Sequence, residues 1–203
     1  MNSVSYKNQK IQPSKIICIG RNYAAHIEEL NNEIPTEPVI FLKPNSAISN
    51  ELNIDASEKI HYESEISFLV IDRKLSGVGF GLDLTKREIQ STLKAKGLPW
   101  ERAKAFDGSA VFSKFVAINR VKGELRLELT INGELIQQGG VSLMLNKPSD
   151  LMAEAESFMS FENGDILMTG TPSGVGIVNQ GDVFVGSVFD GRDCLVEQSW
   201  IAK

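Results

Sequence analysis

The chain has 203 residues, 42% apolar and 23% charged, with 21 basic against 26 acidic side chains and a net charge of −5. That length suits one domain, which can bury roughly 70% of its unfolded surface without staples. The acidic balance argues against a phosphate-backbone binder, and apolar runs such as residues 66–71 are too short to span a bilayer, so neither a nucleic-acid nor a membrane partner is expected.

The first residues, MNSVSYKNQK, carry no apolar core of a secretory signal, so a cytoplasmic location is expected. Residues 1–14 read as a loose lead-in to a single domain over 15–203. Residues 15–19 (KIICI) predict a buried strand ending at Gly20. Residues 22–30 predict a short helix capped by Asn22, with Ala24, Ala25, Ile27 and Leu30 following. Residues 39–42 predict a strand stopped by Lys43-Pro44, and residues 65–71 an apolar strand. Residues 85–96 predict a helix with Thr85 and Glu88 as a capping box and Gly97 as stop. Residues 125–132 place Leu125, Leu127, Leu129 and Ile131 on one face, and Asn132-Gly133 turns them into a hairpin. Residues 149–160 predict an amphipathic helix with Leu151, Met152, Ala155, Phe158 and Met159 inward. Strands follow over 166–168, 183–189 and 194–200. Strands outnumber helices without alternating regularly with them, which predicts a β-rich α+β fold. Cys18 and Cys194 form no Cys-x-x-Cys and read as two buried free thiols.

Five stretches carry chemistry. In His61-Tyr62-Glu63-Ser64-Glu65 the two glutamates share one side of a strand, where they repel unless a cation lies between them. Asp83 sits among apolar neighbours before a helix; alone it reads as a carboxylate favourable at a helix start. Three carboxylates without a nearby cysteine make an all-oxygen set suited to Mg²⁺ or Mn²⁺ and not to Zn²⁺. His26 and Glu29 are i and i+3, so the carboxylate can orient the imidazole as a general base. Lys104, among Trp, Ala and Phe, suits a desolvated oxyanion stabiliser. Residues 169–176 (TGTPSGVG) form a tight loop whose amides can bind a carboxylate, without the spacing of an NTPase phosphate loop. Ser91-x-x-Lys94 matches a fragment of a penicillin-binding signature but lacks its companions. Taken one at a time, each stretch has a plainer reading as solvated or structural polarity.

Their order and wording carry more. G-R-N-Y-x-x-H-x-x-E, F-L-K-P, H-x-E-x-E, G-L-D-L-T-x-R-x-x-Q, K-G-L-P-W-x-x-A-K-x-F-D, N-G-E and G-D-I-L-x-T-G-T-P-x-G-V-G together resemble the fumarylacetoacetate hydrolase family over about nine-tenths of the chain. The likeness is to its small single-domain members, the acylpyruvate hydrolases and oxaloacetate decarboxylases. The resemblance implies a mixed β-sandwich roll, a homodimer, and a Mg²⁺ or Mn²⁺ ion on Glu63, Glu65 and Asp83. It implies a water-activating pair in His26 and Glu29 on a helix that can close as a lid, and a catalytic Lys104. It places Arg87, Gln90, Lys43 and Thr171 against a small oxo-acid substrate, with Arg21 and Tyr23 facing the site. Two departures stand out. Tyr62 replaces the histidine that often precedes the first glutamate, and only eleven residues separate Ile71 from Asp83, a shortening that implies loss of a surface helix, altered dimer packing or a degraded copy.

The activity implied first is metal-dependent hydrolysis of the carbon–carbon bond in acylpyruvate-type 2,4-diketo acids, with decarboxylation of oxaloacetate on the same metal. The alternative is isomerisation of a 2-hydroxy-diene-dioate or tautomerisation of oxaloacetate. A metal-dependent binding protein without turnover is the reading from another class.

Overall fold

A computed structural model describes residues 1–55, 58–121 and 123–203. In chain order the strands and helices are β1 (Val4–Tyr6), β2 (Gln9–Ile11), β3 (Lys15–Gly20), α1 (Ala24–Glu29), β4 (Val39–Pro44), β5 (Ile48–Ser49), β6 (Ile60–Tyr62), β7 (Ser64–Ile71), β8 (Lys74–Asp83) and β9 (Thr85–Lys86). Then come α2 (Arg87–Ala95), α3 (Glu101–Lys104), β10 (Ala110–Phe112), β11 (Val116–Ala117), β12 (Leu125–Ile131), β13 (Glu134–Gly140), α4 (Pro148–Glu156), β14 (Ile166–Met168), β15 (Gly176–Ile177), β16 (Val183–Asp190) and β17 (Asp193–Ile201).

A mixed eight-stranded sheet runs β4-β3-β14-β7-β8-β10-β5, with β11 also on β8. A four-stranded antiparallel sheet, β13-β12-β16-β17, packs against it. Alternation along β3 explains its unbroken apolar sequence. Ile17 and Ile19 face the core shared with the second sheet, while Ile16 and Cys18 face a second apolar cluster on the other side. In the shared core Phe80 of the large sheet lies 5.9 Å from Trp200 of the smaller one. A Cβ on Gly186 would collide with the Phe80 ring, so glycine there lets the two sheets close. The β-rich α+β roll expected from the sequence is the fold found.

Several local expectations change. Residues 1–14 are not a loose lead-in: β1 and β2 pair, and Val4 and Tyr6 are buried in the second cluster. The short stretch between Ile71 and Asp83 is a hairpin, with Asp72 and Arg73 both left-handed at φ 51° and 54°, the geometry of a type I′ turn. Thr85 lies in β9 and makes no cap; α2 starts at Arg87. Phe158 is exposed, because α4 ends at Glu156 and the inward face does not reach it. Cys18 is buried as expected, but Cys194 is exposed near the start of β17. The Asn132-Gly133 turn forms as read, with φ 52° and 87°.

Candidate active site

Three carboxylates meet where β7 and β8 pair. Glu63 precedes β7, Glu65 is its second residue, and Asp83 ends β8. Register sets Ser64 opposite Leu82 and Glu65 opposite Gly81, and the Asp83 amide donates to the Glu63 carbonyl at 2.8 Å. One oxygen from each carboxylate lies within 4.8 Å of the others, and all three residues are buried.

Buried anions need compensation. Lys104 Nζ, at the end of α3, donates to Asp83 Oδ2 at 2.6 Å, Thr85 Oγ1 at 2.7 Å and Glu63 Oε2 at 3.0 Å. Arg87 donates from Nη2 to Glu63 Oε1 and from Nη1 to Gln90 Oε1. Burial works to raise the Glu63 pKa, but Lys104, Arg87 and His26 outweigh it and hold the carboxyl well below the ordinary range. Burial likewise opposes the Lys104 charge, but Asp83 and Glu63 win and raise its pKa. Glu65 differs. Burial, then Asp83 and Glu63, push its carboxyl well up. Its Oε2 accepts the Gly170 amide at 2.7 Å, and among the described residues no cation lies at ion-pair distance from it. Asp83 Oδ1 is buried without a hydrogen-bond partner, although Lys43 Nζ stands 2.8 Å away. A buried carboxylate, Glu65, with no counter-cation at ion-pair distance among the described residues, in an all-oxygen set of three, fits a hard divalent cation held by Glu63, Glu65 and Asp83.

His26 and Glu29 lie on α1. His26 Nδ1 and Glu29 Oε2 are 3.0 Å apart, and Glu29 Oε1 accepts the Gly174 amide at 2.9 Å. The glycine-rich loop thus does bind carboxylates through its amides, but they are the protein's own. Gly170 has φ 92°, a conformation glycine supplies without strain, and it presents its N–H to Glu65. Asn22 is not the helix cap. It is buried and ties the segment leading into α1 to the rest of the domain, donating to the carbonyls of Thr169 at 2.8 Å and Asn146 at 3.0 Å and accepting the Asn146 amide at 2.8 Å. The helix ends in a Schellman turn: Asn31 N–H reaches Glu28 O and Asn32 N–H reaches Ile27 O, with Asn31 left-handed at φ 50°.

A cavity of about 40 Å³ joins these parts, lined by Arg21, His26, Glu63, Arg87, Gln90, Lys94, Lys104 and Thr171 among others. Lys43, expected against the substrate, does not line it. Its ammonium is buried and donates to the backbone carbonyls of Lys104, Ser109 and Leu84, so it braces Asp83 and α3. Tyr23 is also turned inward; its hydroxyl is buried without a partner, and burial followed by the Glu65 charge raises its pKa. Sequence reasoning missed Asn22 as an anchor, Thr85 under Lys104, and Gln137 on β13. Gln137 accepts the Ser64 amide and donates to Thr171 Oγ1 at 2.9 Å, tying the second sheet to the site. A lone glutamine in the middle of β13 gives no sequence signal for that role. Lys94 appeared only within a chance fragment.

The fold and this acidic cluster, which could hold a divalent metal, belong to an enzyme class that comparison with known proteins identifies. A family model for the fumarylacetoacetate (FAA) hydrolase C-terminal domain matches residues 15–195. The oxaloacetate tautomerase oaa1 of Schizosaccharomyces pombe, mitochondrial by name, is 40% identical over 199 residues, covering 88% of this chain and 90% of that protein. The oxaloacetate tautomerase YcgM of Escherichia coli is 37% identical over 197 residues, with the same coverage of 88% and 90%. The crystal structure of fumarylpyruvate hydrolase from Pseudomonas aeruginosa, in complex with Mn²⁺ and pyruvate, superposes with a TM-score of 0.88 at 28% identity, covering 99% of this chain and 95% of that one. The chain belongs to the fumarylacetoacetate hydrolase family. No helix among the described residues is long and apolar enough to cross a membrane.

Proposed function

We propose that the protein catalyses keto–enol interconversion of a 2-oxo diacid of the oxaloacetate type. The observation that carries this reading is that one small cavity is lined both by His26, which pairs with Glu29, and by Glu63 and Lys104 of the carboxylate–lysine cluster. Its likeness to relatives named oxaloacetate tautomerases supports the substrate class. When bound, Mg²⁺ or Mn²⁺ on Glu63, Glu65 and Asp83 supplies positive charge at the substrate's 2-oxo oxygen. Glu29 engages Nδ1 of His26, which leaves Nε2 to take or return a proton at the carbon beside the 2-oxo group. Lys104 steadies the charge that develops on the enol oxygen, which requires it to release one of its three present acceptors. Arg87 holds Glu63 charged and Gln90 in place. The cavity volume is close to the ~30 Å³ share of one water molecule, so a four-carbon acid needs more room than it offers; movement of α1, which carries His26, would make that room and then shield the reacting carbon from water.

Cleavage of acylpyruvates is the second reading, favoured by the likeness to fumarylpyruvate hydrolase; there His26 would activate water. Decarboxylation of oxaloacetate would use the same charge sink. The test is a parallel assay of enol-oxaloacetate ketonisation, pyruvate release from acetylpyruvate and CO₂ release from oxaloacetate, with Mg²⁺ and after EDTA. His26→Ala should lower ketonisation by roughly 10²-fold or more, the usual scale for general acid–base work. Faster turnover of acetylpyruvate than of the enol would replace this reading with hydrolysis. Full activity after EDTA would remove the metal from it.

A further inference from the structure

The cavity's other end is cationic and has no job in proton transfer. Arg21 Nη2 and Lys94 Nζ both donate to one atom, Asn32 Oδ1, at 3.2 and 3.1 Å. All three residues line the same cavity as His26 and Lys104. Among the described residues neither cation has a carboxylate within ion-pair distance, and both are partly buried. Two cations drawn to a single neutral acceptor repel each other, and an amide oxygen cannot neutralise them. Burial, then Arg21 and Arg87, lower the pKa of Lys94, which is the mark of a site short of negative charge. The backbone agrees: Arg21 sits in the left-handed region at φ 56°, a conformation that costs a non-glycine residue about 1 kcal/mol or more and that places the residue between β3 and the lid.

We propose that Arg21, Lys94 and Asn32 form a subsite for the carboxylate remote from the 2-oxo group, making the enzyme selective for dicarboxylic over monocarboxylic 2-oxo acids. This deepens the oxo-acid reading above and rests on it for the placement of the 2-oxo end. A planar carboxylate offers two acceptor oxygens, enough for one guanidinium N–H and one ammonium N–H while Asn32 keeps both cations aligned. Arg21 precedes α1 and Asn32 follows it, and Lys94 lies on α2, so a carboxylate held there ties both ends of the lid segment to the body of the domain. A neutral acyl tail would leave both charges without a counter-ion inside a closing cavity.

The experiment is calorimetric binding of pyruvate and of oxaloacetate to the Mg²⁺-loaded protein, in wild type, Lys94→Met, Lys94→Arg and Arg21→Met. Wild type should prefer oxaloacetate. Lys94→Met and Arg21→Met should each cut the oxaloacetate-to-pyruvate affinity ratio by about tenfold or more, the scale of one charge-assisted hydrogen bond; Lys94→Arg should keep most of it. An unchanged ratio in both Met variants, or a wild-type preference for pyruvate, overturns the subsite. Because binding is read and not turnover, the proposed reaction can fail while the subsite stands: a selective protein that ketonises nothing supports the subsite and sinks only the tautomerase reading.

Discussion

The two ends of the cavity treat positive charge in opposite ways. At the carboxylate end every ammonium proton has an acceptor. Lys104 is shared by Glu63, Asp83 and Thr85, and Lys43 by three backbone carbonyls beside Asp83. At the other end Arg21 and Lys94 converge on one amide oxygen. The same side chain, lysine, is a fixed counter-charge where it is fully buried and an available donor where it is half-buried. The difference follows from desolvation: an ion deep in the core persists only if the fold itself satisfies it, whereas one at a cavity wall can wait for a ligand. Damage to the first end should therefore register in stability, and damage to the second in binding.

The largest effect is expected at Asp83. Asp83→Ala removes an acceptor of Lys104 and the carboxylate beside Lys43, leaving buried cations short of compensation. Breaking a buried pair from one side costs about 3–5 kcal/mol, and removing a metal ligand should abolish turnover. Urea denaturation of Asp83→Ala beside Lys94→Met checks the contrast: Lys94→Met should cost about 1 kcal/mol or less. Similar losses in the two variants would erase the distinction between the ends.

Glu65 tests the same end from the opposite side, because its charge is tolerated badly without a divalent ion. Its folded pKa lies above the ordinary carboxylate value of about 4.3. The stability it contributes to metal-free protein is thus full below about pH 4.3 and lost as pH rises through the folded pKa. Glu63 runs the other way. Its lowered pKa contributes stability above about pH 4.3 that is lost as pH falls through its folded value. In EDTA, melting temperatures of the wild type should fall on the alkaline side of that value, and Glu65→Gln should flatten this limb while leaving the acid limb in place. Mn²⁺ should raise the wild-type melting temperature and leave Glu65→Gln nearly unmoved. A wild type that stays flat between pH 5 and 8 in EDTA would mean that the Glu65 charge is compensated after all.

Much of this was legible in the sequence, for identifiable reasons. Period-2 alternation revealed β12, Asn132-Gly133 its turn, and the apolar run KIICI a strand buried on both faces. The glutamates of H-x-E-x-E, Asp83, the His26–Glu29 pair and Lys104 stood out by residue type and spacing, but only the resemblance carried by all the motifs together gave them roles. What failed was local capping logic. Thr85 and Asn22 have the composition of caps, but each hydroxyl or amide finds a tertiary partner, Lys104 for one and the Asn146 and Thr169 backbone for the other. The lead-in hid its strands because β1 and β2 are three residues each and are stabilised by packing, not by propensity. Lys43 was placed against substrate only through the resemblance carried by F-L-K-P; its ammonium faces backbone carbonyls and Asp83.

Asn22 sits between the two ends and should affect turnover least, but informatively. It neighbours Arg21 in the chain and holds the start of the lid segment to the loops at Asn146 and Thr169. Asn22→Ala leaves two carbonyls and one amide without that partner, and losing buried hydrogen bonds of this kind costs about 1–3 kcal/mol. Only the Thr169–Gly170 peptide reaches the triad, through the Gly170 N–H that Glu65 accepts, so the chemistry there should change little once substrate is bound. The lid, however, would be less well placed to bring Arg21 and His26 over the cavity. The expected signature is a KM for the diacid raised several-fold with kcat changed less, together with a lowered denaturation midpoint. Steady-state kinetics with oxaloacetate and with a monocarboxylic oxo-acid decide the matter. If kcat falls as much as KM rises for both substrates, Asn22 serves the scaffold of the triad and not the seating of the lid, and the boundary between a rigid end and a ligand-completed end would have to be drawn beyond it.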